Sequence, residues 1–129
     1  MTQRLTIGEV ARRTGVAQTT LRYYERVGLI PPPERAGGQR RYQESVLVRL
    51  EVIRLCKAAG FSLDEITVLM ADVTPGRPRA RALAEAKLIE IDAQMRSLAR
   101  ARDIIEWGMK CTCPSIDACT CGIHDAVPA

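Results

Sequence analysis

At 129 residues and a net charge of +4, the chain has room for one modest core, or for a small domain with an extension. No apolar run reaches the ~20 residues of a membrane span. The opening MTQRLTIGEV lacks the charged start and long apolar stretch of a secretory leader, so a cytoplasmic location without a membrane partner is expected. The charge is polarised: residues 1–60 hold 11 Lys and Arg against 5 Asp and Glu, whereas residues 61–129 hold 8 against 10. A basic front half points to a polyanion partner.

Residues 6–15, TIGEVARRTG, predict a short helix. Thr6 is its N-cap, and Glu9 three residues on gives the spacing of a capping box. Ile7, Val10 and Ala11 share one face, and Gly15 ends the helix. Residues 17–27, AQTTLRYYERV, predict a second helix closed by Gly28. Two short helices joined by about three residues form a helix-turn-helix pattern.

In the following LIPPPERAGGQRRY, three consecutive prolines exclude helix, and Gly37-Gly38 permits a tight reversal. Leu29-Ile30 and Gln39–Tyr42 are the expected arms of a small β-hairpin, with a basic tip from Arg35, Arg40 and Arg41. Residues 44–59 return to helical spacing, with Val46, Leu47, Leu50, Ile53 and Leu55 as an apolar stripe. Cys56 lies on it as a small hydrophobe, and Gly60 closes the helix. Ser62 caps a further helix, SLDEITVLMADV, with Glu65 completing a second capping box. TPGRP, from Thr74 to Pro78, is a strong breaker and the expected domain boundary.

From Arg79 to Lys110 one long helix is expected, rich in Ala, Leu, Glu, Lys and Arg. Ala84, Leu88, Ile91, Met95, Leu98, Arg102, Ile105 and Met109 alternate at steps of four and three, a heptad seam with one polar break at Arg102. Such a rod of roughly 48 Å is too long to be covered by a front domain of this size. A second copy is the expected cover, as a twofold antiparallel coiled coil. Trp107 and Met109 are expected to pack the helix end over that partner. The predicted fold is all-α with a small β-hairpin wing: a winged helix-turn-helix DNA-binding domain (1–73), a coiled-coil dimerisation helix (79–110) and a cysteine-rich tail (111–129).

A recognition helix reads DNA with side chains near its N-terminus, while flanking basic residues hold phosphates. Gln18, Thr19, Thr20, Arg22 and Tyr23 are the groove-facing candidates. Arg40 and Arg41 on the wing are placed to clamp the backbone, and Tyr24 and Tyr42 carry hydroxyls suited to phosphate oxygens.

The tail reads MKCTCPSIDACTCGIH. Cys111, Cys113, Cys119 and Cys121 form C-x-C-P-x4-C-x-C, with His124 just behind as a borderline ligand. Pro114 keeps the segment out of helix, so the sulfurs sit on a loop able to wrap an ion. In a reducing compartment such a set points to metal or redox chemistry rather than to disulfides. Soft thiolate pairs suit Zn, Cu(I), Hg-like ions or an iron–sulfur cluster.

The run LTIGEVARRTGVAQTTLRYYERVGLIPPPERAGGQRRY, with CKAAGFSLDEI after it, resembles the DNA-binding domain of the MerR (mercury-resistance regulator) family. IGEVA, LRYYE, GLI, RRY and GFSLDEI occur in that family's order over about residues 5–70, and the long helix and tail continue the likeness more loosely. The resemblance implies a homodimeric regulator with winged heads, acting with RNA polymerase at promoters whose spacer is too long. An effector makes such a dimer bend and untwist the DNA. By motif, Arg22 and Tyr24 serve the recognition region, Arg40 and Tyr42 the wing, and Lys57 a phosphate.

Two branches of the family bear on the tail. Cys111-x7-Cys119 is similar to the two-cysteine loop of the metal sensors. CTCPSIDAC reproduces the last three positions of the [2Fe–2S] motif C-x2-C-x-C-x5-C of the redox-sensing SoxR branch, but the first position falls on Gly108, which cannot ligate. The cysteine that metal sensors often carry at the start of the long helix is missing around Gly76–Arg81, which favours a site built from one tail. A metal ion and an iron–sulfur cluster both remain open at this level. A thiol–disulfide oxidoreductase is disfavoured because no substrate domain or general-base constellation is visible. A zinc-stabilised interaction module and direct thiol oxidation as the signal are also compatible with the cysteine spacing.

Overall fold

A computed structural model describes residues 4–125, with the side chain of His124 outside the described residues. The elements in order are β1 (Arg4–Leu5), α1 (Ile7–Thr14), α2 (Gln18–Arg26), β2 (Glu34–Ala36), β3 (Gln39–Gln43), α3 (Ser45–Ala58), α4 (Leu63–Ala71) and α5 (Pro78–Gly108), followed by a 3-10 turn, Ile123–Asp125. The chain divides after Leu83 into two compact units.

Local chemistry sets these boundaries. Thr6 caps α1 by accepting from Glu9 N–H at 3.1 Å. The expected box differs in its second half, because the Thr6 hydroxyl itself donates to the Glu9 carboxylate at 3.1 Å. At α4 the full box forms: Ser62 Oγ accepts from Glu65 N–H, and Glu65 Oε1 accepts from Ser62 N–H at 2.8 Å. Helix α2 ends in a Schellman motif around left-handed Gly28, with Leu29 N–H donating to Tyr24 O at 2.9 Å. Helix α3 ends the same way, with Phe61 N–H donating to Cys56 O at 3.1 Å.

The wing differs from its expected pairing. Leu29 and Ile30 are not a strand; both N–H groups turn back to Tyr24 O, and their side chains are fully buried in the core. The arm opposite β3 is instead β2, in the register Glu34↔Arg41, Arg35↔Arg40 and Ala36↔Gln39. Gly37 and Gly38 at φ 61° and 79° form the connecting turn, where two positive φ values match the twist of a tight hairpin. Strand β1 pairs with the other edge of β3, giving the antiparallel order β1-β3-β2. Two residues are too few to show alternation in sequence, so β1 escapes pattern reading.

The front unit has one core, built on Leu5, Val10, Leu21, Tyr24, Leu29, Ile30, Tyr42, Val46, Leu50, Ile53 and Ile66. On α3 the inward positions are Val46, Leu50 and Ile53, while Leu55 is exposed. It lies two residues, or about 200°, beyond Ile53 around the helix. Cys56 is half-buried against this core, and burial raises its thiol pKa. That is the behaviour of a packing residue.

Asp72 holds the start of α5. Its carboxylate accepts from Arg79 N–H (2.8 Å), Ala80 N–H (3.0 Å) and Thr74 N–H (3.2 Å). The Ala80 N–H leads in holding this carboxyl below the usual range. Along α5, Leu88, Met95, Leu98 and Ile105 of the heptad seam are exposed and Ile91 is half-buried; Met109, expected on the helix, is exposed in the turn just past its end at Gly108. Arg102, the polar break, pairs with Glu106 at 2.9 Å.

Candidate nucleic-acid interface and metal centre

The first turns of α2 present Gln18, Thr19, Arg22 and Tyr23 on the surface, with Thr20 half-buried. The Arg26 guanidinium lies 5.4 Å from the Tyr23 ring centroid, an arrangement that keeps cation and ring together at the surface. Behind them Leu21 and Tyr24 anchor the helix in the core. Three-residue spacing between Leu21 and Tyr24 turns the intervening polar side chains outward.

The two tyrosines expected at phosphates are engaged within the domain. The Tyr24 ring is buried, and its hydroxyl accepts from Lys57 Nζ at 3.4 Å. The Tyr42 ring is 2% exposed, and its hydroxyl donates to Glu25 Oε2 at 3.2 Å. Arg40 Nε lies 3.4 Å from the same oxygen. Burial, then the Glu25 charge, push the Tyr42 hydroxyl up to about 12. Glu25 therefore ties the recognition helix to strand β3 and fixes the wing's position. Its signal in the sequence was one acidic residue in the otherwise basic run LRYYER. Lys57 itself is exposed, and Arg41 Nη2 donates to Gln39 Oε1 at 3.0 Å.

The tail begins as α5 unwinds. Cys111 N–H donates to Gly108 O, and Cys119 N–H to Ile116 O at 3.2 Å, so a turn carries the chain back on itself. After Cys121, Gly122 takes a left-handed φ of 72°, which a side chain disfavours. This reversal brings Ile123 O under the indole of Trp107, whose Nε1 donates to it at 2.7 Å. Lys110 Nζ stands 4.7 Å from the same ring centroid. Trp107 thus ties the tail to the end of α5.

This path gathers the four sulfurs. Cys111, Cys113, Cys119 and Cys121 Sγ all lie within 4.8 Å of one another. Cys119 Sγ is 3.6 Å from Cys111 Sγ and 3.4 Å from Cys121 Sγ. The backbone N–H groups of Thr120 and Cys121 point at Cys113 Sγ and lower its thiol to about 6. Sharing a hydrogen with Cys121 pushes Cys119 up to about 12. Binding of a soft ion would release the protons that these thiols carry. Four sulfurs in this array fit a tetrahedral thiolate ion or iron–sulfur chemistry. The side chain of His124, the remaining candidate, lies outside the described residues.

A helix-turn-helix beside a basic wing is the architecture of a DNA-binding protein, and here it shares a chain with a thiol cluster. The family description "MerR HTH family regulatory protein" matches residues 5–73, and "MerR, DNA binding" matches residues 47–107. The chain is 35% identical to the HTH-type transcriptional activator SoxR homolog of Chromobacterium violaceum, covering 89% of this chain and 80% of that protein. It is 38% identical to the mercuric resistance operon regulatory protein of Serratia marcescens, over 80% of this chain and 73% of the relative. Among solved structures it resembles a transcription regulator of Ralstonia metallidurans in complex with Lead(II), with a TM-score of 0.66, 31% identity and coverage of 96% and 99% of the two chains. It also resembles HiNmlR, a MerR-family regulator lacking the sensor domain and bound to promoter DNA, with a TM-score of 0.57, 26% identity and coverage of 84% and 89%. The chain belongs to the MerR family: it is a DNA-binding transcriptional regulator with a C-terminal cysteine cluster, not an enzyme. No helix among the described residues is long and apolar enough to cross a membrane.

Proposed function

We propose that this regulator works as a cytoplasmic homodimer that reads a metal ion through Cys111, Cys113, Cys119 and Cys121 and activates transcription by distorting promoter DNA for RNA polymerase. The observation that carries the sensing half is the convergence of all four sulfurs within 4.8 Å on a segment that follows α5 directly. The exposed seam of Leu88, Met95, Leu98, Ile105 and Met109 supports pairing through α5, since apolar residues at heptad spacing seek a second helix. In the head, Gln18, Thr19, Thr20, Arg22 and Tyr23 meet the groove, while Arg40, Arg41 and Lys57 hold phosphates. Tyr24 and Tyr42 act behind them, seating Lys57 and the Glu25–Arg40 pair. Activation by shape needs only a head that grips the duplex: the energy stored in bent DNA, of order 1–6 kcal/mol, is the lever. The expected partition is head, 1–73; pairing helix, 79–110; effector tail, 111–129.

A [2Fe–2S] redox sensor is the second reading, favoured by the likeness to the SoxR homolog and by the run CTCPSIDAC. The test is footprinting of promoter fragments from the source genome with the ion-loaded dimer. Protection of a twofold site, with transcription rising on metal addition, supports the proposal. Absence of any protected site would reject it.

A further inference from the structure

We propose that the tail holds one four-coordinate divalent ion of the zinc type, bound by Cys111, Cys113, Cys119 and Cys121 of a single protomer, rather than a two-iron cluster or an ion shared between subunits. This rests on the tail being the effector site and names the ion class that it takes.

Around an ion with metal–sulfur bonds of ~2.3 Å, tetrahedral geometry puts neighbouring sulfurs about 3.8 Å apart. The Sγ separations of 3.6 Å and 3.4 Å around Cys119 are close to that spacing, and all four sulfurs lie within 4.8 Å of one another. A [2Fe–2S] cluster divides its thiolates between two irons joined by bridging sulfides. Two pairs of sulfurs must then stand apart. Here Cys119 is close to both Cys111 and Cys121, so every division into two pairs breaks at least one short contact. Opening the set would also pull on the loop, whose far end is tied by the Trp107–Ile123 hydrogen bond.

The ligand count excludes a shared site on the same grounds. Four thiolates complete a tetrahedral shell, leaving no position for a residue of the partner subunit and no need for His124. Charge favours a divalent ion. Four thiolates around a 2+ ion leave a smaller negative residue than around a monovalent ion.

The experiment uses the full chain, reduced and stripped by chelator under anaerobic conditions, titrated with Co2+ and then with Zn2+. The expected result is saturation at one Co2+ per protomer, with the visible absorption of tetrahedral thiolate-bound cobalt. An equimolar amount of Zn2+ displaces it, and X-ray absorption finds only sulfur around the zinc. Each Cys→Ser change among the four lowers Zn2+ affinity by more than the ~10-fold that loss of an outer hydrogen-bond partner costs; His124→Ala leaves it unchanged. One ion per two protomers overturns the proposal, as does a light atom in the wild-type shell. So does reconstitution with ferrous iron and sulfide to two irons and two sulfides per protomer in place of zinc. Promoter transcription measured on the same samples separates the two levels. One sulfur-bound ion with no transcriptional response sinks the regulatory reading and leaves the centre standing; a response carried by a two-iron cluster does the reverse.

Discussion

Head and tail hold their shapes by opposite means. The head buries eleven residues in one core, with helix caps and Schellman turns at its boundaries. None of the described tail residues from Cys111 onward is buried to that degree. Turn hydrogen bonds, the Trp107 latch and the proximity of four sulfurs stand in for a core. Hydrophobic burial needs no ligand, whereas a thiolate cluster gains most of its stability when an ion binds. A head built on its own core and a tail built on turns and clustered thiols are suited to be reader and sensor respectively.

The sharpest break between the two regions is expected from Cys113→Ser, which should abolish metal-dependent induction while leaving promoter binding intact; reporter transcription and gel shift read the two separately. Induction that survives would move the sensor elsewhere. The head, in contrast, should respond to salt. If it neutralises six or more phosphates, affinity falls by ~10³-fold between 50 and 200 mM salt, and the slope should be the same with the tail cysteines changed to serine. Within the head, Arg22→Ala should cost about 1–3 kcal/mol of operator binding if it reads a base, with relaxed preference at one position of the site.

Smaller effects probe the internal ties of each region. Tyr42→Phe removes the hydrogen bond to Glu25 and should lower head stability by ~1 kcal/mol at neutral pH. Because the folded Tyr42 hydroxyl sits at about 12, above its ordinary value of about 10, the wild-type advantage is complete below pH ~10 and disappears as pH rises toward about 12. Chemical denaturation of both proteins across that range checks the sign: the two curves should converge at high pH. The tail's counterpart is Trp107→Phe, which keeps a ring but loses the indole N–H to Ile123 O. One such bond contributes ~1 kcal/mol, so Zn2+ affinity should fall about fivefold with the head's melting unchanged.

Much of this was legible in the chain. Thr6, Ser62, Gly15, Gly28 and Gly60 mark helix ends because caps and left-handed turns demand particular residues, and the helices fall where those residues place them. The wing was harder. Leu29 and Ile30 have strand-like composition, but the Schellman turn at Gly28 directs them inward, and which apolar pair becomes core depends on tertiary packing. Glu25 stood out only as the one acid in LRYYER, and its role, like that of Asp72, could not be read for a related reason: their partners are Tyr42 and Arg40 in one case, and backbone N–H groups in and beyond the TPGRP break in the other. The cysteines announced a ligand set by spacing alone. Their convergence runs through the turn at Ser115–Cys119, with Ala118 N–H on Ser115 Oγ and Cys119 N–H on Ile116 O, which no periodicity encodes.

The proposed function requires that thiolate chemistry in the tail change how two paired heads shape DNA. The most direct measurement is the end-to-end distance of a doubly labelled promoter fragment, saturated with the dimer, before and after Zn2+ is added and again after chelation. A reversible change in distance at constant occupancy is the predicted result, lost in Cys113→Ser. An identical distance in the loaded and stripped complexes would contradict it.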